Sequence, residues 1–135
     1  MLFESFVAFL AFFISALILV TVFLYLYALV TPYDDYELIF KQNNTAAALG
    51  FGGAIIGVCI PLYSALVNSV SYFDFLIWAG VAMLIQLLFA LIVTRLLSGK
   101  YAFEKEIENG VVPVGILKAF ISISIGLLNA GAMSY

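Results

Sequence analysis

Few of the 135 residues have side chains able to do chemistry. There is no His and a single Cys, Cys59, so the usual carriers of proton transfer, metal ligation and thiol catalysis are nearly absent. No Ser-His or Cys-His pairing, glycine-rich phosphate loop or zinc spacing occurs, and the chain reads as a non-enzyme without a cofactor. The informative polar residues are Lys118 and Gln86 inside long apolar runs, the acidic group Asp34, Asp35 and Glu37, and two stripes of small and polar residues.

The stripes run through two apolar segments. Gly50, Gly53, Gly57, Pro61, Ser64 and Asn68 recur at helical spacing, and Gly115, Lys118, Ser122, Gly126, Asn129 and Met133 repeat the pattern. Small residues let helix backbones approach closely in lipid, so helix packing is the plainer reading. The sharper one is that the stripes line a passage. Pro61 removes an amide donor and crowds the carbonyl of Gly57, which predicts a kink that serves shape more than gating.

Lys118 stands eight positions after Gly110, about 12 Å into the apolar run, where a bare ammonium is costly. Its stem leans toward the helix N-terminus, so snorkelling to water is the expected outcome. The alternative is a cation in a polar crevice with Ser122, favouring anions or pairing with an acid of a neighbouring protomer. Gln86 is read as a hydrogen-bonding link between helices. Asp74 is read as an ordinary acidic cap. Asp34, Asp35 and Glu37 would attract a divalent cation at most weakly and read as a solvated cytoplasmic group.

The elements that must hold these residues are membrane spans. The chain is 66% hydrophobic and 10% charged, with a mean hydropathy of +1.21, outside the range of soluble proteins. No charge falls between Glu4 and Asp34, between Lys41 and Asp74, or between Asp74 and Arg95. At about 20 residues per crossing, four spans are expected, at 6–30, 46–67, 75–97 and 111–133, which defines an all-α integral membrane four-helix protein. The first lacks a positive n-region and is too long for a signal peptide. Four such helices leave no wide internal channel, so conduction would run between protomers of a homo-oligomer.

The net charge of −3 and the lack of clustered Lys and Arg exclude nucleic acid as a partner; the lipid bilayer is the partner the composition demands. Cys59 is expected to be a small core residue. Lys41, Arg95, Lys100 and Lys105 all fall in two alternate loops, which places those loops in the cytoplasm and both termini outside. Tyr25, Tyr27, Tyr33 and Tyr36 are expected in one aromatic belt, with Tyr63, Tyr72 and Trp78 in the other.

A shift of 65 residues aligns Asn44 with Asn109 and continues to Ser69 with Ser134, with eight identities in 26 positions. About two would arise by chance from such a composition. The chain therefore reads as two parallel tandem repeats, 1–69 and 70–135, each of two spans. Each cytoplasmic loop is expected to hold a short interfacial amphipathic helix, with Tyr36, Ile39 and Phe40 in one and Tyr101, Phe103 and Ile107 in the other. Asn44 and Asn109 would cap the spans that follow, and Asp34 with Glu37 has capping-box spacing.

The segments TPYDDYELI, NNTAAALGFGGAIIGVCIPLYSALVNSVS, DFLIWAGVAMLIQLL and NAGAMSY, which span nearly the whole chain, resemble the YjfL family of bacterial inner-membrane proteins. That resemblance implies two copies of domain of unknown function 350 in a multi-pass plasma-membrane protein, and supplies no mechanism. Neighbouring genes of such proteins imply a peripheral envelope-stress protein as a partner. Lys118 departs from the resemblance, since similar proteins keep a small or apolar residue there. Two functions are expected: a homo-oligomeric assembly conducting ions or small solutes along the stripes, or a scaffold recruiting a peripheral partner to the cytoplasmic face.

Overall fold

A computed structural model of the chain describes residues 1–98 and 103–133. Among them are six helices and no strand: α1 (Leu2–Val30), α2 (Asp35–Phe40), α3 (Thr45–Asn68), α4 (Tyr72–Ser98), α5 (Phe103–Glu108) and α6 (Val112–Ala132). α1, α3, α4 and α6 are long and apolar enough to cross a membrane. Lys100, Tyr101 and Ser134, used above for orientation, loop patterning and the repeat, lie outside the described residues.

Local chemistry sets the boundaries. α1 stops at Thr31, which takes an extended conformation because Pro32 follows. Asp34 caps α2 by accepting a hydrogen bond from the Glu37 amide at 3.2 Å. Asn44 caps α3, accepting from the Ala47 amide at 3.0 Å, as its position predicts. Ser71 and Asp74 cap α4 between them: Ser71 Oγ accepts from the Asp74 amide, and Asp74 Oδ2 accepts from the Val70 amide. α4 consequently starts three residues before the expected Phe75.

Asn109 does not match its counterpart. α6 begins after Val111 with no side-chain cap, and Asn109 stays exposed. Gly110 has φ +83°, a left-handed turn that glycine takes without strain, and it carries the chain past Asn109. Pro113 then occupies the first turn, where a missing N–H leaves nothing unpaired.

Burial is ordered inside-out. α1, the most apolar of the four, has only 6% of its span buried, whereas 56% of α3 is buried. In lipid the apolar surface belongs outside, and the small-residue helix occupies the centre. Phe23, Tyr27, Phe51, Val58, Leu62 and Phe75 form the main core between α1, α3 and α4. α6 packs along α3 on its other side, and a smaller cluster of Leu38, Ala46, Phe103 and Ile107 seats α2 and α5 at one end.

Candidate functional site

The two stripes meet each other. α3 and α6 run parallel and make the most extensive contact in the molecule, from Ala46 against Gly115 to Ser64 against Ala130. A Cβ on Gly53 would strike the backbone of Ala119, one on Gly115 the backbone of Ala46, and one on Gly126 the carbonyl of Gly57. At Gly57 an added Cβ would lie 2.6 Å from the Ser122 carbonyl oxygen. Such approach is open only to glycine. Pro61 is buried inside an uninterrupted α3.

Polar side chains fasten the rest of this seam. Buried Gln86 of α4 donates to the Ser122 carbonyl at 3.4 Å. Asn129 donates to the Ala82 carbonyl at 3.2 Å and meets Gln86 Oε1 at 3.4 Å. Ser64 reaches the Ala130 carbonyl at 3.3 Å, and Asn68 donates back to the Ser64 carbonyl at 2.9 Å within its own helix. Gln86 thus joins α4 to α6. Ser64, Asn68, Asp74 and Trp78 also border a polar crevice of about 230 Å³ at the end away from α2.

Lys118 does not snorkel. It is 5% exposed, and its stem fills the space above Gly50, with Cδ 3.1 Å from where a Cβ would stand. Its ammonium donates to Tyr33 Oη at 2.9 Å, lies 3.5 Å from Glu104 Oε2, and sits 5.3 Å from the ring centres of both Tyr27 and Tyr33. The acid it meets belongs to the same chain, not to a neighbouring protomer. The physical reason is that α5 folds back over the start of α6 and turns Glu104 inward with Phe103 and Ile107.

The acidic group also divides. Asp34 and Glu37 are exposed, but Asp35 is 2% exposed and accepts a 2.8 Å hydrogen bond from Thr31 Oγ1. It is therefore no part of a solvated patch. Burial pushes the Asp35 carboxyl above the usual carboxylate range; the Thr31 hydrogen bond and the Lys118 charge oppose this, and Glu104 and Asp34 add to it. Burial, with the Glu104 charge next, holds the Tyr33 phenol far above its ordinary range, so it stays neutral. Among the described residues no group of His, Cys, Asp and Glu could hold a metal ion.

Three residues depart from expectation because the bundle rotates them. Tyr27 and Tyr33 are buried against Lys118 and leave the aromatic belt, where Tyr25 and Tyr36 stay exposed. Cys59 is exposed on the outer face of α3 and is not a core residue. Thr31 and Glu104 were not singled out by sequence as polar partners, and Tyr27 and Tyr33 were assigned only to the aromatic belt. A signal existed: Asp35 and Leu38, like Glu104 and Ile107, are three apart and share one helix face with a buried apolar residue.

Four apolar helices of spanning length around an ionisable cluster define a multi-pass membrane protein. The chain belongs to the Domain of Unknown Function (DUF350) family, whose model matches residues 1–133. It is 36% identical over 132 residues to the UPF0719 inner membrane protein YjfL of Escherichia coli (strain K12), which covers 98% of this chain and 97% of the relative. It is 28% identical over 123 residues to the UPF0719 transmembrane protein YshE of Bacillus subtilis (strain 168), covering 91% and 90%. No solved structure matches the chain.

Proposed function

We propose that the protein is a membrane-embedded scaffold: a closed four-helix core that presents its α2 and α5 end to a peripheral protein at the cytoplasmic face. The observation that carries this reading is the closure of the α3–α6 seam within one chain, where the small residues of both stripes are occupied by contact with each other. Surface that would line a passage is thereby used for packing. At the α2 end, Asp34, Glu37, Tyr36 and Phe40 are exposed together, a mixture of charge and aromatic area suited to a protein partner or the membrane interface. The basic residues of the two loops support a cytoplasmic position for this end. The family resemblance suggests an envelope-stress protein as the partner.

The proposal includes the duplication. α3 and α6 run parallel, and Gly57 contacts Ser122, the residue equivalent to it under the 65-residue shift. That register supports a pseudo-twofold axis along the membrane normal relating 1–69 to 70–135.

The test is co-purification from native membranes with Asp34→Lys and Glu37→Lys together, leaving buried Asp35 intact. A cytoplasmic protein retained by the parent chain should be lost from the variant, and undiminished retention would overturn the scaffold. One observation favours a second reading, a homo-oligomer that conducts between copies: α1 is almost wholly exposed and carries Phe6, Phe9 and Phe13 stacked along its outer face. Reconstituted protein that remains monomeric and passes no current would remove it.

A further inference from the structure

We infer that the four spans meet around a bound water molecule, held between Tyr27 of α1 and Lys118 of α6 and tying α1 to the rest of the bundle. The inference is independent of the scaffold reading. Its starting point is a cavity bordered by all four spans: Tyr27 from α1, Ala54 from α3, Gln86 and Thr94 from α4, and Lys118 and Ser122 from α6. It offers about 20 Å³ to the centre of a water-sized molecule. One water takes about 10–15 Å³ of such space, so the cavity holds one and excludes anything much larger.

Size alone would leave the cavity dry, because apolar cavities of much greater volume stay empty. A buried polar group without a partner decides otherwise. Tyr27 is 2% exposed, and its hydroxyl is buried with no hydrogen-bond partner among the described residues. Left dry, such a hydroxyl carries the full cost of losing its hydration, which folded proteins avoid by pairing buried polar groups with protein or with ordered water.

The other polar groups around the cavity complete the bonding of a water. The Lys118 ammonium has three N–H donors. One goes to Tyr33 Oη at 2.9 Å and one faces Glu104 Oε2 at 3.5 Å, while Nζ sits 5.3 Å from the centre of the Tyr27 ring. The third N–H and the Tyr27 hydroxyl supply two donors to the water oxygen, and Gln86, Ser122 and Thr94 bring oxygen acceptors for its hydrogens. A buried water makes about two to four such bonds. The bridge matters most to α1. Among the described residues, that helix makes one side-chain hydrogen bond to another element, between Ser15 and Tyr72 of α4, and the water supplies a second. In lipid, apolar contact gives helices little drive to associate, so polar links of this kind hold a weakly buried helix in place.

Solid-state NMR of the full chain in lipid bilayers, isotope-labelled at tyrosine Cζ, tests this by passing magnetisation from water protons to the rings. Transfer should reach buried Tyr27, whose signal is the one missing from Tyr27→Phe. Ala90→Val, which extends apolar bulk into the cavity, should suppress that transfer and leave exposed Tyr25 and Tyr36 unchanged. Tyr27→Phe keeps the ring and loses only the hydroxyl. With water bound, it should shift the unfolding equilibrium in bicelles about twofold to tenfold toward the unfolded chain, whereas removing an unpaired hydroxyl shifts it the other way. No transfer to Tyr27 in the parent chain, or transfer undiminished by Ala90→Val, overturns the inference. So does a Tyr27→Phe variant as stable as the parent or more so. Should Ala90→Val fail to fold, the parent spectrum and Tyr27→Phe decide.

Discussion

Lys118→Met removes the only ammonium of the buried cluster while keeping most of the stem that fills the space above Gly50. At the observed 3.5 Å, the attraction to Glu104 is about 5 kcal/mol at an effective dielectric of about 20. Breaking a buried pair from one side typically costs about 3–5 kcal/mol, because the other charge stays behind uncompensated. The loss of the Tyr33 hydrogen bond acts in the same direction. We therefore expect Lys118→Met to destabilise the fold by about 4 kcal/mol, roughly a thousandfold in the unfolding equilibrium. Adding Glu104→Gln removes the stranded charge and should recover at least half of the loss. The assay is equilibrium unfolding of both single variants and the double variant in lipid bicelles, read as a double-mutant cycle. A cost below about 1 kcal/mol for Lys118→Met, or a double variant no more stable than Lys118→Met, would refute the reasoning, since either result requires an ammonium already hydrated.

The seam makes its own prediction: Gly126→Ala drives a methyl group into the Gly57 carbonyl and should cost at least about 2 kcal/mol, whereas Gly52→Ala and Gly80→Ala, which meet nothing within 4 Å, should be near neutral in the same unfolding assay. Gln86→Leu loses its links to Ser122 and Asn129 and should cost about 0.6–2 kcal/mol, measured likewise. Stability should fall as pH rises above the ordinary carboxylate range, because folded Asp35 binds a proton more tightly than unfolded Asp35; the contribution is fully present below the unfolded value and gone above the raised one, and Asp35→Asn should flatten the slope. For orientation, a cysteine placed at exposed Asn43 in a Cys59→Ala background should react with an impermeant reagent only from the cytoplasmic side, and one at Val70 only from outside.

Some readings that depended on the chemistry of a single segment survive, whereas those of Lys118, Cys59 and Asn109 do not. The spans are apolar for about the length a bilayer demands, Asn44 caps α3 with its own side chain, and Gln86 bonds across helices because an amide in lipid has little else to do. Asn109 misleads because capping also needs a local turn, and Gly110 takes the chain past it.

The amino-acid sequence by itself determined that this membrane protein has four segments long and apolar enough to cross a bilayer, with matched stripes in the second and fourth, since the cost of burying charge in hydrocarbon and the spacing of small residues are properties of the chain alone. Only the tertiary structure decided what those residues face. Whether Lys118 reaches water or Glu104 depends on how α5 folds over the start of α6, and whether Asp35 is solvated depends on α2 docking beside Thr31. Glu104 is fourteen positions before Lys118 and Asp35 far more distant, so no periodicity links them. Their meeting is set by helix rotation and packing, which no single segment encodes.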